Sequence, residues 1–390
     1  MADRLPLAAL LALAMTGFIC IITETLPAGL LPQMAAGLQV STSLAGQAVT
    51  AYALGSVLAA IPLTIATQGW RRRNVLLLSI AGFFVFNSIT ALSSNYWLTL
   101  AARFLAGVSA GLAWSLLAGY ARRMVPARQQ GRALAVAMVG TPIALSLGVP
   151  LGTLLGTAMG WRSAFVIMSA LTLVLIGWVL AKVLDYPGQA SHERLPLLKV
   201  LNTAGVRPVL GVVIAWMLAH NILYTYVSPF VAQAGLAAHV DLVLLIFGLA
   251  ALVAILLVGR LVEHHLRASV LTSLAVFAVV SLLFVWFEHM PAAIYVGVAV
   301  WGLTFGGAAT LLQTALADTA GDGADVALSM NVTAWNGAIA GGGLVGGVLL
   351  DGWGASSFPP VLVGLLAIGF VIAWFARTHG FKPGSRHAHF

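Results

Sequence analysis

Twelve apolar runs, near residues 5–31, 44–67, 75–93, 97–120, 133–157, 163–183, 208–233, 240–259, 269–287, 292–316, 326–350 and 357–376, constrain this chain more than any motif in it. In a helix, about 20 apolar residues cover the roughly 30 Å hydrocarbon core of a bilayer. Inside that core every backbone N–H and C=O must find a partner within the protein, which helices of this length provide. The expectation is an all-α polytopic membrane protein with twelve transmembrane helices. Composition agrees, since 61% of the 390 residues are hydrophobic and 8% are charged, whereas a soluble domain carries about 25% charged residues. The single Cys20 has no disulfide partner and reads as a small hydrophobe. The first run has no small-residue cleavage signal and contains an acid, Glu24, so it reads as a retained span and not as a signal peptide.

The positions of Lys and Arg orient the helices, because cytoplasmic loops retain positive charge. With both termini inside, 17 of the 19 basic residues fall on the cytoplasmic side, among them Arg4, Arg71, Arg72, Arg73, Arg128, Arg132, Arg194, Arg267 and Arg386. Only Arg162 falls outside and only Arg103 within a helix. The net charge of +8 is therefore a topological signature and gives no support to nucleic-acid binding.

The one long polar connection runs from Leu184 to Arg207 and separates two six-helix halves, 1–183 and 208–390. Gly107 and Gly111 in the fourth helix recur as Gly302 and Gly306 in the tenth, an offset of 195 each time. Gly160-Trp161, ending the fifth helix, recurs as Gly352-Trp353, ending the eleventh. Such coincidences near half the chain length indicate a duplication. Parallel repeats of this kind place a substrate site at the pseudo-symmetry axis, near the midplane, with alternating access by rocking of the halves.

Lys182 and Asp241 stand at the ends of their runs, but two charged residues well inside the runs need an explanation. An unpaired carboxylate such as Glu24 at this depth costs about 3 kcal/mol, so it marks a proton or substrate site, or else a carboxyl satisfied by a neighbouring helix. Pro27 and Gly29 follow within a turn and a half, so the outer end of this helix is expected to bend. Arg103 is equally costly, and its counterpart in the second half is the apolar Val298. Counting from the helix ends puts Glu24 and Arg103 at the same depth, about 10 Å below the outer surface. A change in their separation would switch the proton affinity of the carboxyl. Arg103 also shares a helix face with Gly107 and Gly111.

The arrangement resembles the major facilitator superfamily, and within it the bacterial twelve-span proton antiporters for drugs and sugars, including the sugar (arabinose-type) efflux transporters. Thr23-Glu24-Thr25-Leu26-Pro27-Ala28-Gly29-Leu30-Leu31, Ala219-His220, Pro229-Phe230-Val231 and Ala324-Asp325-Val326-Ala327 carry the resemblance. It implies that the arginine matching Arg103 takes part in proton coupling. The family's loop between the second and third helices has an acid ahead of its bases; here Arg71-Arg72-Arg73 supplies the bases, but Thr67, Gln68 and Gly69 stand where the acid is expected. The matching loop in the second half has Gly259, Glu263 and Arg267 at the family's spacings, so a cytoplasmic charge latch is expected there. Gly140, Pro142, Gly148, Pro150, Gly152 and Gly156 in the fifth helix resemble the motif that marks antiporters, although Thr153 stands where a proline is expected. Their expected role is a kinked, gating contact with the glycines of the eleventh helix, Gly343 among them.

The seventh helix contributes Trp216, His220, Asn221, Tyr224 and Tyr226 near mid-membrane. His220 and Tyr224 share a face, and hydrogen-bonding groups between aromatic walls suit an uncharged polar or amphipathic ligand. Tyr52 and Asn336 complete the expected substrate-binding set, although any one of these residues has a plain helix-to-helix hydrogen bond as its alternative. The resulting expectation is a multi-pass inner-membrane secondary transporter, monomeric and without cofactor, that exports a sugar or drug-like molecule against proton entry. No phosphate-binding loop, metal-ligand set or nucleophile-base constellation is present, so neither ATP coupling nor an enzyme is indicated. A proton symporter or facilitator of the same fold, and a non-transporting membrane sensor, are the alternatives.

Overall fold

A computed structural model of the chain describes residues 5–67, 69–126, 129, 133, 136–188 and 197–384. Arg4, Gln68, Arg128, Arg132, Arg194 and Arg386 lie outside the described residues, as does the side chain of Glu263. Within them the regular structure is helical, and twelve helices are long and apolar enough to cross a membrane. They run Leu7–Gly29, Thr42–Ala60, Arg72–Leu92, Tyr96–Arg123, Val136–Met159, Trp161–Lys182, Val206–Thr225, Ala237–Val262, His264–Phe287, Pro291–Ala320, Val326–Trp353 and Ala355–Phe375. They form two compact units, Met1–His192 and Glu193–Phe390.

Local chemistry sets the breaks. The first helix stops at Gly29, where Leu30 leaves helical geometry at φ −121°, and a short helix Leu31–Leu38 follows; this is the bend expected after Pro27. The seventh helix, expected to reach residue 233, stops at Thr225 because Tyr226 leaves helical geometry at φ −111°, and Val227–Ala232 is a separate short helix. Gly160 and Gly354, at φ +88° and +75°, make the turns that end the fifth and eleventh helices. The repeated turn therefore pairs Gly160 with Gly354, two residues beyond the expected Gly352, which stays helical. The Asn95 side chain accepts from the Leu98 amide at 3.0 Å and caps the start of the fourth helix.

In the first unit the second and fourth helices cross at backbone contact. A methyl group at Gly107 would overlap the Tyr52 carbonyl, and one at Gly111 the Ser56 carbonyl. The second unit repeats this crossing with Gly302 on Phe247 and Gly306 on Ala251. Phe247 and Ala251 follow Tyr52 and Ser56 by the same 195 residues. The glycine repeat is thus a repeated helix crossing, in which small residues let backbones meet.

The fifth helix contains a π-helical turn, Ala144–Gly148, between Pro142 and Pro150. Each proline lacks an N–H and cannot bond the carbonyl four residues back, and the Ser146 hydroxyl donates to the Pro142 carbonyl at 2.7 Å. Within the first unit the glycine face of this helix meets the first helix: Gly140 lies on Ala14, Gly148 on Phe18 and Ile22, Gly152 on Leu26 and Gly156 on Leu30. In the second unit Gly342 and Gly346 of the eleventh helix lie on Asn221 and Tyr226 beside the seventh. Gly343 accepts the Tyr226 hydroxyl at 2.8 Å through its carbonyl. Each glycine-rich helix therefore packs on the opening helix of its own half.

Candidate functional site

Glu24 sits in the core of the first unit and is 7% exposed. Two neighbours grip the chain around it. The Asn87 amide donates to the Thr23 hydroxyl at 3.0 Å, and the Arg103 guanidinium donates from Nη2 to the Glu24 main-chain carbonyl at 3.3 Å. Arg103 is fully buried. Its Nε bonds the Ala48 carbonyl at 3.2 Å, and its charge lies 5.0 Å from the centre of the Tyr52 ring and 5.7 Å from that of Phe165. Cation–π contact is stronger when desolvated, about 2 kcal/mol, which helps keep a charge in this setting.

Glu24 and Arg103 are thus brought together, but through the main chain. Among the described residues no ion pair within 4.0 Å forms at the Glu24 carboxylate, and Arg103 Nη1 and Asn87 Oδ1 are buried without hydrogen-bond partners. Buried polar groups left this way cost about 1–3 kcal/mol each, so the site is under-satisfied around its one acid. Tyr52, expected in the substrate set, donates its hydroxyl to the Cys20 carbonyl at 2.9 Å and lies under Arg103. Its placement is that of a support for the arginine.

At the positions 195 residues on from Glu24 and Arg103 the second unit has Ala219 and Val298. Val298 replaces Arg103, and where the first half has Ala106 and Ala110 the second has Trp301 and Phe305. These large rings enclose His220, which is 5% exposed. Its imidazole is face to face with Phe305, centroids 3.4 Å apart and planes 2° apart, and stacks on Tyr224 at 5.2 Å. Trp301 lies 5.3 Å away and Phe247 5.8 Å away. His220 Nδ1, Trp301 Nε1 and Trp216 Nε1 are buried without hydrogen-bond partners among the described residues. The rings pack on one another around His220, leaving His220 Nδ1 and Trp301 Nε1 among them without a hydrogen-bond partner. Trp301 and Phe305 were not legible from the seventh helix alone; the 195-residue offset pointed to their helix. The Asn336 amide donates to the Val332 carbonyl of its own helix at 3.0 Å.

Of the remaining expected gating residues, Arg72 donates to the Thr67 carbonyl and, at 3.2 Å, to the Trp70 carbonyl of its own loop. Arg267 donates to the carbonyls of Ala373, Trp374 and Phe381, so its guanidinium caps the end of the twelfth helix. The side chain of its expected partner Glu263 lies outside the described residues. A carboxylate does meet the basic loop of the first unit, and it is Asp185, paired with Arg71.

The family model described as Major Facilitator Superfamily matches residues 13–336 and 237–389. A chloramphenicol efflux pump of Mycobacterium tuberculosis is 31% identical over 358 residues, which cover 87% of this chain and 85% of the relative. Probable sugar efflux transporters of Helicobacter pylori and Haemophilus influenzae are 28% identical over 374 residues and 29% identical over 383 residues. These matches cover 94% of this chain and 95% of the first transporter, and 95% of this chain and 93% of the second. With twelve membrane-crossing helices and bacterial efflux relatives, it is a multi-pass protein of the bacterial inner membrane whose work is transport. The chain belongs to the major facilitator superfamily.

Proposed function

We propose that the chain is a proton-coupled antiporter, working by alternating access, that exports a neutral amphipathic molecule with a flat face and hydroxyl groups. Both substrate names among the relatives, chloramphenicol and sugars, are of uncharged, hydroxyl-bearing molecules. The cage of His220, Tyr224, Trp301 and Phe305 suits the flat face, and its unused ring nitrogens suit the polar groups. Glu24 is the proton carrier and Arg103 fixes the chain that bears it. The observation that carries this reading is the Glu24 carboxyl itself, buried within a span and without a partnering cation within 4.0 Å among the described residues. Such a group can take up and release a proton as its surroundings change.

One proton entering per neutral molecule exported gains about 2.3 kcal/mol at 100 mV, enough for roughly 50-fold accumulation. The π-helical turn flanked by Pro142 and Pro150, with Gly148 and Gly152 on the first helix, supplies a gate next to the proton site, and the basic loops around Arg72, Glu263 and Arg267 supply gates on the cytoplasmic side. The deciding experiment uses proteoliposomes with labelled chloramphenicol and labelled arabinose as probes. Glu24→Gln should bind and exchange the probe yet fail to export it uphill. Proton-driven export by Glu24→Gln at the wild-type rate would overturn the assignment.

A further inference from the structure

The chain leaving the sixth helix turns back onto the start of the third. Asp185 pairs with Arg71 and accepts the Arg73 amide at 3.1 Å. The Arg72 amide donates to the Tyr186 carbonyl at 2.9 Å. From the fourth helix, the Tyr120 hydroxyl donates to the Leu184 carbonyl at 2.7 Å and Arg123 to the Pro187 carbonyl at 2.9 Å. The Tyr120 and Tyr186 rings meet edge to face, centroids 5.6 Å apart. Four consecutive residues, Leu184 to Pro187, are therefore tied to the ends of two other helices.

The chain leaving the twelfth helix does the same in the second unit. Arg267 donates to the Phe381 carbonyl at 3.1 Å, the Phe381 amide turns back to the Ala376 carbonyl at 3.0 Å, and the Phe381 ring is fully buried. The Thr319 hydroxyl reaches the Gly380 carbonyl at 3.4 Å. Arg72 and Arg267 stand 195 residues apart, and so do Tyr186 and Phe381. The offset is the one that relates the glycine crossings, so the two hooks are copies of one ancestral device. They differ in the donor: a main-chain amide at Arg72 and a guanidinium at Arg267.

We propose that these hooks are paired latches, each holding the entry of the third or the ninth helix, and that Asp185 is an unassigned gating residue which supplies the carboxylate missing from residues 61–73. The latch in the first half opens as a unit, because its hydrogen bonds sit on one short segment whose basic partner is open to solvent, Arg71 being 66% exposed.

Hydrogen exchange on the full-length protein in nanodiscs, with no ligand added, tests this. In the wild type the Arg72 and Arg73 amides, which donate to the Tyr186 carbonyl and the Asp185 carboxylate, should exchange together, ahead of the core of the third helix. Asp185→Asn should raise exchange at these two amides at least tenfold while the Phe381 amide, bonded to Ala376, stays unchanged, and Arg267→Gln should do the reverse. The position of Gly69 is open to a side chain, so Gly69→Asp added to Asp185→Asn should recover most of the lost protection. The proposal is overturned if the Arg72 and Arg73 amides exchange only with the helix core, which is the behaviour of a fixed strut. It is also overturned if Asp185→Asn leaves exchange unchanged or raises it equally in both halves.

Discussion

Arg103 bonds the main-chain carbonyl of Glu24 at 3.3 Å and makes no ion pair with its carboxylate. The guanidinium also holds the Ala48 carbonyl and faces two aromatic rings, so it is seated by neutral groups that stay put when the carboxyl gains or loses its proton. A planar fork can hold two carbonyls at once, whereas an ammonium is a point charge on a flexible stem. Arg103→Lys should therefore fold but lose at least tenfold in export rate. Arg103→Ala should in addition lower the melting temperature, since each abandoned carbonyl costs about 1–3 kcal/mol. Wild-type export by Arg103→Lys would show that the fork is not needed.

The packing of the fifth helix on the first gives a second expectation. A Cβ at Gly152 would lie 2.7 Å from Leu26 Cδ1, two residues beyond Glu24. Overpacking of this kind costs about 1–3 kcal/mol, and here it presses on the segment that carries the acid. Gly152→Ala should slow transport several-fold, and Leu26→Ala in the same protein should restore part of the rate by opening the space. If the double variant is no faster than the single one, the contact with the first helix is not what limits motion.

The aromatic cage predicts separable contributions. Trp301→Phe keeps the ring but removes the unused N–H, so it should weaken probe binding about fivefold, the worth of one ordinary hydrogen bond. His220→Ala removes the stacking partner of Phe305 and should weaken binding further. Both effects belong in the apparent affinity, measured by equilibrium binding of the same chloramphenicol or arabinose probe. Unchanged affinity in both His220→Ala and Tyr224→Phe would remove the cage from the substrate path.

The spans, the bend after Pro27, the costly Glu24 and the equal depth of Arg103 were legible because hydropathy and helical rise act along one dimension. What distance along a helix does not reveal is direction around it. Depth counting therefore placed Arg103 level with Glu24 without showing that it reaches the carbonyl and not the carboxylate. A glycine stripe likewise states that something approaches closely, and not that the partner of Gly148 and Gly152 is the first helix. Tyr52 at mid-membrane fits a ligand contact as well as a support, and its spacing says nothing of its bond to Cys20 or its place under Arg103. Asp185 lies 114 residues from Arg71, so no local spacing could join them. The clue lay in the 195-residue repeat, extended from the glycines to Arg72 and Arg267.

The Asp185 pair also carries a pH signature of its own. Partial burial raises the Asp185 carboxyl, but the hydrogen bond from Arg71, the Arg73 amide and the charges of both arginines outweigh this and hold it below the ordinary aspartate range. A carboxyl depressed in the folded state stabilises the fold above its unfolded pKa, and that stability is lost as pH falls through the folded value. Asp185→Asn should therefore melt below the wild type near neutral pH. The gap should be small, because an exposed pair contributes about 0.2–1 kcal/mol, and it should shrink further in high salt. It should stay constant across the neutral range and close on acidification below about pH 4, as the wild-type aspartate becomes neutral too. Melting curves of the two proteins in the same detergent, taken from neutral to acid pH, measure the gap directly. A gap that persisted at the acid end, or one that changed through the neutral range, would mean that the charge of Asp185 is not what stabilises the loop.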